Sequence, residues 1–129
     1  MQNLKILYVE DEESIRNELL EILELDFDNV FVANNGEEGL ALYKEHNPDL
    51  VISDIQMPKM DGLEMSKEIL LINKDAKIIL TTAFNEGRFI KEANSLNVVA
   101  YVTKPIDLKQ LSIAIEQTLN RAQENKEKK

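Results

Sequence analysis

The chain has 129 residues, a mass of 14.8 kDa, 43% hydrophobic and 30% charged residues, a formal net charge of −9 and no cysteine. This profile predicts one globular domain with its own core, and it excludes disulfides, thiol nucleophiles and thiolate metal sites. Its acidity disfavours direct binding to nucleic acid or an anionic membrane, and the sequence has neither a ~20-residue apolar span nor a secretory signal, so we expect a cytoplasmic protein.

Five short apolar runs, rich in Ile, Val and Leu, recur along the chain. Apolar residues follow one another almost without interruption in these runs, instead of alternating with polar residues. This pattern is typical of strands buried on both faces of a parallel sheet. The predicted strands are residues 5–9, 30–33, 50–53, 77–81 and 98–102.

Apolar residues follow each strand at helical spacing and predict five helices. Asn35-Gly36 and Asp61-Gly62 mark the starts of the second and third helices, and Asn47-Pro48 ends the second. This alternation predicts an α/β domain, (βα)5, with helices on both faces of a parallel sheet. We expect the domain to span residues 1–121, and residues 122–129 to form a polar tail, either a frayed helix end or the start of a linker. The helical stripes are Ile15, Leu19, Ile22 and Leu23; Leu40 and Tyr43; Leu63, Ile69 and Leu70; Ile90, Ala93 and Leu96; and Leu108, Leu111, Ile115 and Leu119.

Polar residues with a shared chemistry lie just beyond four of these strands. Ligands of open parallel sheets bind beyond the carboxyl ends of the strands, so these side chains should meet at one edge. Crowded carboxylates repel, and a hard divalent cation such as Mg²⁺ relieves the conflict. A carboxylate nucleophile, a metal, an ammonium and a hydroxyl are what phosphoryl transfer to aspartate requires. The residues are Glu10 and Asp11 after the first strand, Asp54 at the end of the third, Thr82 after the fourth and Lys104 after the fifth.

Each of these residues also has an ordinary structural interpretation. An acidic pair before a helix favours the helix dipole, Asp54 suits a turn, and Thr82 suits a helix cap, although Asn85 competes for that role. The functional interpretation rests on all of them following the correct strands together.

The segments 6–12 (ILYVEDE), 54–62 (DIQMPKMDG), 82–83 (TA) and 101–105 (YVTKP) resemble the receiver (response-regulator) family of two-component signalling. The resemblance covers roughly residues 4–121, with all the motifs in order. It implies the flavodoxin-like strand order 2-1-3-4-5.

The resemblance also implies roles for the acidic residues. Asp54 would be the phosphoacceptor. Asp11 and Asp54 would bind Mg²⁺ directly, Glu10 largely through water, and Gln56 through its backbone carbonyl. Mn²⁺ would be a substitute for Mg²⁺.

The remaining motif residues would sense the phosphoryl group. Thr82 would bind one of its oxygens and Lys104 would pair with the acceptor site. Tyr101 would be an aromatic switch that turns inward once Thr82 moves. The Lys104–Pro105 peptide bond would be cis, which costs only ~0.5–1 kcal/mol before proline.

By the same resemblance, the chain is a phosphoacceptor signalling domain rather than an enzyme acting on other substrates, and it catalyses only its own phosphorylation and dephosphorylation. Its phosphodonor would be a sensor histidine kinase or a phosphotransfer protein. An output domain or downstream protein would read the face formed by the fourth helix, the fifth strand and the fifth helix. A phosphorylation-dependent homodimer through that face stays open.

Other functions compete with this one. Aspartate-nucleophile phosphohydrolases place a second Asp two residues after the nucleophile, where this chain has Gln56, which cannot transfer protons. A degenerate receiver would only bind proteins, but the presence of the whole set of Glu10, Asp11, Asp54, Thr82 and Lys104 argues against it. A calcium loop at residues 26–29 lacks the required glycine and distal glutamate. His46, the only histidine, is interpreted as an exposed residue at a helix end.

Overall fold

A computed structural model describes the backbone of residues 2–82, 91, 100–103 and 107–127, and their side chains except at residues 2–3, 82, 100–101, 103 and 119–127. Five parallel strands form one sheet in the order β2-β1-β3-β4-β5. The predicted fold and strand order are thereby confirmed. The strands are β1 (Gln2–Val9), β2 (Phe27–Ala33), β3 (Leu50–Asp54), β4 (Ile78–Thr82) and β5 (Ala100–Thr103).

Four helices are described: α1 (Glu13–Asp26), α2 (Gly36–His46), α3 (Gly62–Ile72) and a C-terminal helix (Leu108–Glu127). The stripe that predicts a further helix between β4 and β5, Ile90, Ala93 and Leu96, lies outside the described residues. The C-terminal helix continues past Arg121 to Glu127. None of the described helices is both long enough and apolar enough to cross a bilayer.

Local sequence explains where α2 and α3 begin and end. The Asn35 side chain caps α2 by accepting a hydrogen bond from the Glu38 amide, and Asp61 caps α3 in a reciprocal capping box with Glu64. The helix α2 ends at Asn47, as predicted, but through left-handed geometry (φ 52°) rather than the extended conformation expected before proline. Asn tolerates that region better than most residues.

The sheet is covered on both faces, because alternate residues of each strand feed two separate apolar clusters. One cluster joins Leu7, Val9 and Val51 to Tyr43 of α2 and Ile69 of α3. The other joins Ile6, Tyr8 and Ile52 to Leu19 of α1 and Leu111 of the C-terminal helix. The central strand β3 is accordingly buried along its whole length, whereas the edge strand β2 is only partly buried and carries exposed Asp28 and Asn29.

Three expectations about individual residues need correction. Leu108 is 46% exposed, because as the first residue of its helix it precedes the turn that reaches the sheet. Phe27 is buried and opens β2 directly after α1, so this strand begins three residues earlier than predicted. His46 lies at the end of α2, but its ring is stacked on Phe31 with centroids 4.0 Å apart and its side chain is only 32% exposed.

Candidate metal and phosphoacceptor site

The ends of β1 and β3 bring two acidic residues together at the carboxyl edge of the sheet. These strands are neighbours, and their register pairs Tyr8 with Ile52 and Val9 with Ser53. Glu10 and Asp54 are the next residues along the two strands. They lie at the point where strand order reverses, the usual ligand-binding position in such sheets.

Asp11 completes an acidic group with Glu10 and Asp54. Each of the three residues offers a carboxylate oxygen that lies within 4.8 Å of the other two. Glu10 is fully buried, Asp54 is 6% exposed and Asp11 is exposed. The predicted juxtaposition of these three residues is therefore present.

The donor set suits a hard divalent cation. All three side-chain donors are carboxylate oxygens, which Mg²⁺ prefers, and the exposed Asp11 gives the group an open side toward solvent. Burying two of the carboxylates raises the cost of their mutual repulsion, which a bound cation offsets. Within the described part of the chain, no other cluster of His, Asp and Glu brings three ligand atoms this close.

Short hydrogen bonds orient the buried carboxylates. The Ile55 amide donates to Asp54 Oδ1 at 2.8 Å, and the Glu12 amide donates to Glu10 Oε2 at 3.2 Å. The Glu10 backbone is held from both sides: its amide donates to the Ala33 carbonyl, and its carbonyl accepts from Arg16 Nη1 at 3.0 Å. The two amide bonds restrict rotation of the carboxylates, and the two main-chain bonds fix the backbone that carries Glu10.

The loop from Ile55 to Asp61 follows β3 and carries Gln56, whose side chain is exposed. Its ends are fixed, because the Gly62 amide donates to the Ile55 carbonyl at 2.7 Å and the Gly36 amide donates to the Met60 carbonyl at 3.0 Å. Met57 and Met60 pack against the apolar cluster beside α2 and α3, as packing residues rather than ligands.

Two glycines permit these close approaches of backbone to backbone. A Cβ at Gly62 would overlap the Asp54 carbonyl oxygen and lie 3.0 Å from the Ile55 Cα. A Cβ at Gly36 would overlap the Met60 carbonyl oxygen and lie 2.9 Å from its carbon. Within the loop, Lys59 adopts left-handed geometry, with φ 68°.

Tyr8 is a residue of this region that sequence reasoning missed. It is 1% exposed and lies on the same sheet face as Glu10, two residues away. Burial, and then the carboxylates of Glu10 and Asp54, raise the pKa of Tyr8 well above its usual range, while Arg16 acts weakly in the opposite direction. The phenol is therefore neutral. Tyr8 is the one residue with a polar atom in the apolar stretch Ile6 to Val9, just before Glu10, and that hydroxyl is the sequence signal that could have identified it.

The other predicted site residues are only partly described. Thr82 is the last residue of β4 and Tyr101 lies in β5, but their side chains lie outside the described set. Lys104 and Pro105, with the predicted cis bond between them, also lie outside it. Their roles stay predictions.

Comparisons with known proteins show which family this chain resembles along most of its length. Residues 6–116 match the family described as response regulator receiver domain. The chain is 39% identical over 115 residues to the chemotaxis protein CheY of Halobacterium salinarum, a match that covers 89% of this chain and 96% of that protein. It is 34% identical over 119 residues to sporulation initiation phosphotransferase F of Bacillus subtilis, covering 92% and 96% respectively. The solved structure of a response regulator receiver domain protein from Clostridium thermocellum superposes with a TM-score of 0.88 at 31% identity, covering 93% of this chain and 97% of that one.

Proposed function

The chain belongs to the response-regulator receiver family, a family of two-component signalling domains, and from this premise we propose that Asp54 accepts a phosphoryl group in a reaction that requires Mg²⁺. The observation that carries the proposal is the acidic group, in which oxygens of Glu10, Asp11 and Asp54 lie within 4.8 Å of one another. Asp54 is the member of the group at the end of a central strand.

The residues of the acidic group and the loop beside it supply most of what the transfer needs. A carboxylate oxygen of Asp54 attacks phosphorus, and the bond between phosphorus and the donor breaks as an acyl phosphate forms. Asp11, Asp54 and the Gln56 carbonyl would hold Mg²⁺ directly, with Glu10 acting through water. The bound ion would supply charge neutralisation at the transferred group, on which phosphoryl transfer mainly depends. The Ile55 amide keeps the Asp54 carboxylate in one orientation.

The donor is a sensor histidine kinase or a phosphotransfer protein, and the chain catalyses its own phosphorylation and dephosphorylation. The protein acts in the cytoplasm. The receiver unit ends at residue 121, and residues 122–129 form a tail outside it. Output passes to a domain or protein that binds the face formed by the fourth helix, β5 and the C-terminal helix. Phosphorylation adds about −1.5 to −2 charges at one point, so Thr82 and Lys104 close on the new group and Tyr101 fills the space that Thr82 leaves.

The test is phosphorylation by a small acyl phosphate with MgCl₂, followed by intact mass measurement. The wild type should gain the mass of one phosphoryl group, and EDTA should abolish the gain. Asp54→Asn should gain nothing, although its side-chain oxygen can still accept from the Ile55 amide. The matched control is Asp49→Asn, one residue before the same strand, where the side chain accepts a hydrogen bond from the Lys5 amide.

Two outcomes would contradict the proposal. Modification of Asp54→Asn to the wild-type extent would place the acceptor elsewhere. A wild type that binds Mg²⁺ but never gains the phosphoryl mass would support a degenerate receiver that only binds proteins.

A further inference from the structure

The hydroxyl of Tyr8 has no hydrogen-bond partner in the described part of the chain, although the residue is 1% exposed. Buried tyrosine hydroxyls usually find a partner, because an unpaired donor loses its hydration without compensation. The hydroxyl therefore needs an explanation that the rest of the core does not.

Packing accounts for the ring but not for the hydroxyl. The ring belongs to the apolar cluster that includes Ile6, Leu19 and Ile52. Phenylalanine would fill the same space without burying a polar atom. The phenolic oxygen is thus the feature that distinguishes Tyr8 from an ordinary core residue.

The strand register places Tyr8 two residues before Glu10, on the face of the sheet that leads to the acidic group. Tyr8 on β1 pairs in register with Ile52 on β3. Two residues further along the two chain segments, on the same face of the sheet, are Glu10 and Asp54. Tyr8, Glu10 and Asp54 are all buried. A buried hydroxyl donor and two buried carboxylates therefore lie near one end of the same sheet face.

We propose that Tyr8 is a positioning residue for the metal site, whose hydroxyl donates a hydrogen bond to a carboxylate oxygen of Glu10 or Asp54 when these residues hold a divalent cation. This inference rests on the proposed function, since it assumes that the acidic group binds Mg²⁺. Carboxylates that bind metals are commonly oriented by hydrogen bonds from such outer partners, and losing one typically costs 10–100-fold in metal affinity.

The deciding variant is Tyr8→Phe, which removes one oxygen and keeps the ring. Its control is Tyr43→Phe, because Tyr43 is also buried but lies in the cluster on the opposite face of the sheet and accepts a hydrogen bond from Asn73 Nδ2 at 3.4 Å. Each protein is titrated with MgCl₂ by calorimetry, and its Tm is measured in EDTA and in saturating MgCl₂.

Tyr8→Phe should keep or raise the Tm in EDTA, because the hydroxyl that it removes has no partner there, while its Kd for Mg²⁺ rises about tenfold. Tyr43→Phe should leave the Kd for Mg²⁺ unchanged. The chain contains no tryptophan, so tyrosine emission is readable, and its Mg²⁺-dependent change should be lost in Tyr8→Phe alone.

An equal Kd for Mg²⁺ in the wild type and Tyr8→Phe would overturn this inference and leave the proposed function intact. Failure of the wild type to bind Mg²⁺ at all would instead overturn the proposed function. A fall in the Tm of Tyr8→Phe that is the same with and without Mg²⁺, at unchanged Kd, would assign Tyr8 to packing alone.

Discussion

Substitution of Gly62 by alanine tests whether the start of α3 and the end of β3 are as close as the structure places them. The added methyl group would overlap the Asp54 carbonyl oxygen and lie 3.0 Å from the Ile55 Cα. Both obstacles are backbone atoms of the residues that carry the proposed chemistry, so they cannot move aside as a flexible side chain could.

The size of the effect follows from two losses. Overpacking of this kind costs about 1–3 kcal/mol, and displacing the turn weakens the 2.7 Å bond from the Gly62 amide to the Ile55 carbonyl, worth about 1 kcal/mol. The greater helix propensity of alanine offsets part of this. We expect the free energy of unfolding to fall by about 2–3 kcal/mol, which for a chain of this length lowers the Tm by about 7–11 °C.

The matched control is Gly39→Ala in α2. There the new Cβ would lie 2.7 Å from the sulfur of Met65 and 2.9 Å from a methyl carbon of Val9, so it meets side chains rather than backbone. The flexible Met65 side chain can shift, whereas the β-branched Val9 side chain is stiffer. Alanine also gains about 1 kcal/mol over glycine inside a helix, so we expect a net change within about 1 kcal/mol. The assay is urea unfolding together with the rate of phosphorylation by an acyl phosphate. Equal losses of stability in the two variants would refute the reasoning.

Two further substitutions test the loop and the caps by thermal unfolding. Lys59→Gly should stabilise the protein by about 0.5–1 kcal/mol, because relief of the left-handed backbone at φ 68° outweighs the entropy that glycine adds to the unfolded chain. Lys74→Gly, at an exposed turn residue without positive φ, should destabilise the protein. Equal changes in the two variants would contradict this reasoning. Asp61→Ala should lower the free energy of unfolding by about 1–2 kcal/mol, because it removes the capping box of α3. Glu12→Ala should lower it by about 0.5 kcal/mol or less, because the Glu12 side chain makes no capping bond to α1. A smaller loss in Asp61→Ala than in Glu12→Ala would be inconsistent with the observed caps.

The strands and the acidic edge could be predicted because they depend on composition and order alone. The central strands β1 and β3 carry no carboxylate before their ends, although β3 includes the buried Ser53, so the first carboxylate along each marks its end. Glu10 and Asp54 are those residues on neighbouring strands. Chain order and parallel pairing then place them at one edge, without knowledge of any side-chain contact.

Other features could not be predicted, because they depend on contacts between distant segments. Phe27 stands between Asp26 and Asp28 in a stretch that reads as a polar loop, and only pairing with β1 makes it a strand residue. Lys59 is an unfavourable choice for left-handed geometry. The bonds that fix the loop around it come from Gly36 in α2 and Gly62 in α3.

The way in which this loop is fixed indicates where a change at Asp54 is transmitted. The Ile55 amide donates both to Asp54 Oδ1 and, at 3.3 Å, to the carbonyl of Thr81, the residue before Thr82 in β4. Under the proposed function, a phosphoryl group on Asp54 would perturb the first of these bonds, and the shared donor would couple that perturbation to the end of β4. The Met60 bond to Gly36 holds the far side of the loop against α2 and limits movement in that direction. The arrangement therefore favours displacement toward β4 and Thr82, the residue through which the proposed switch operates.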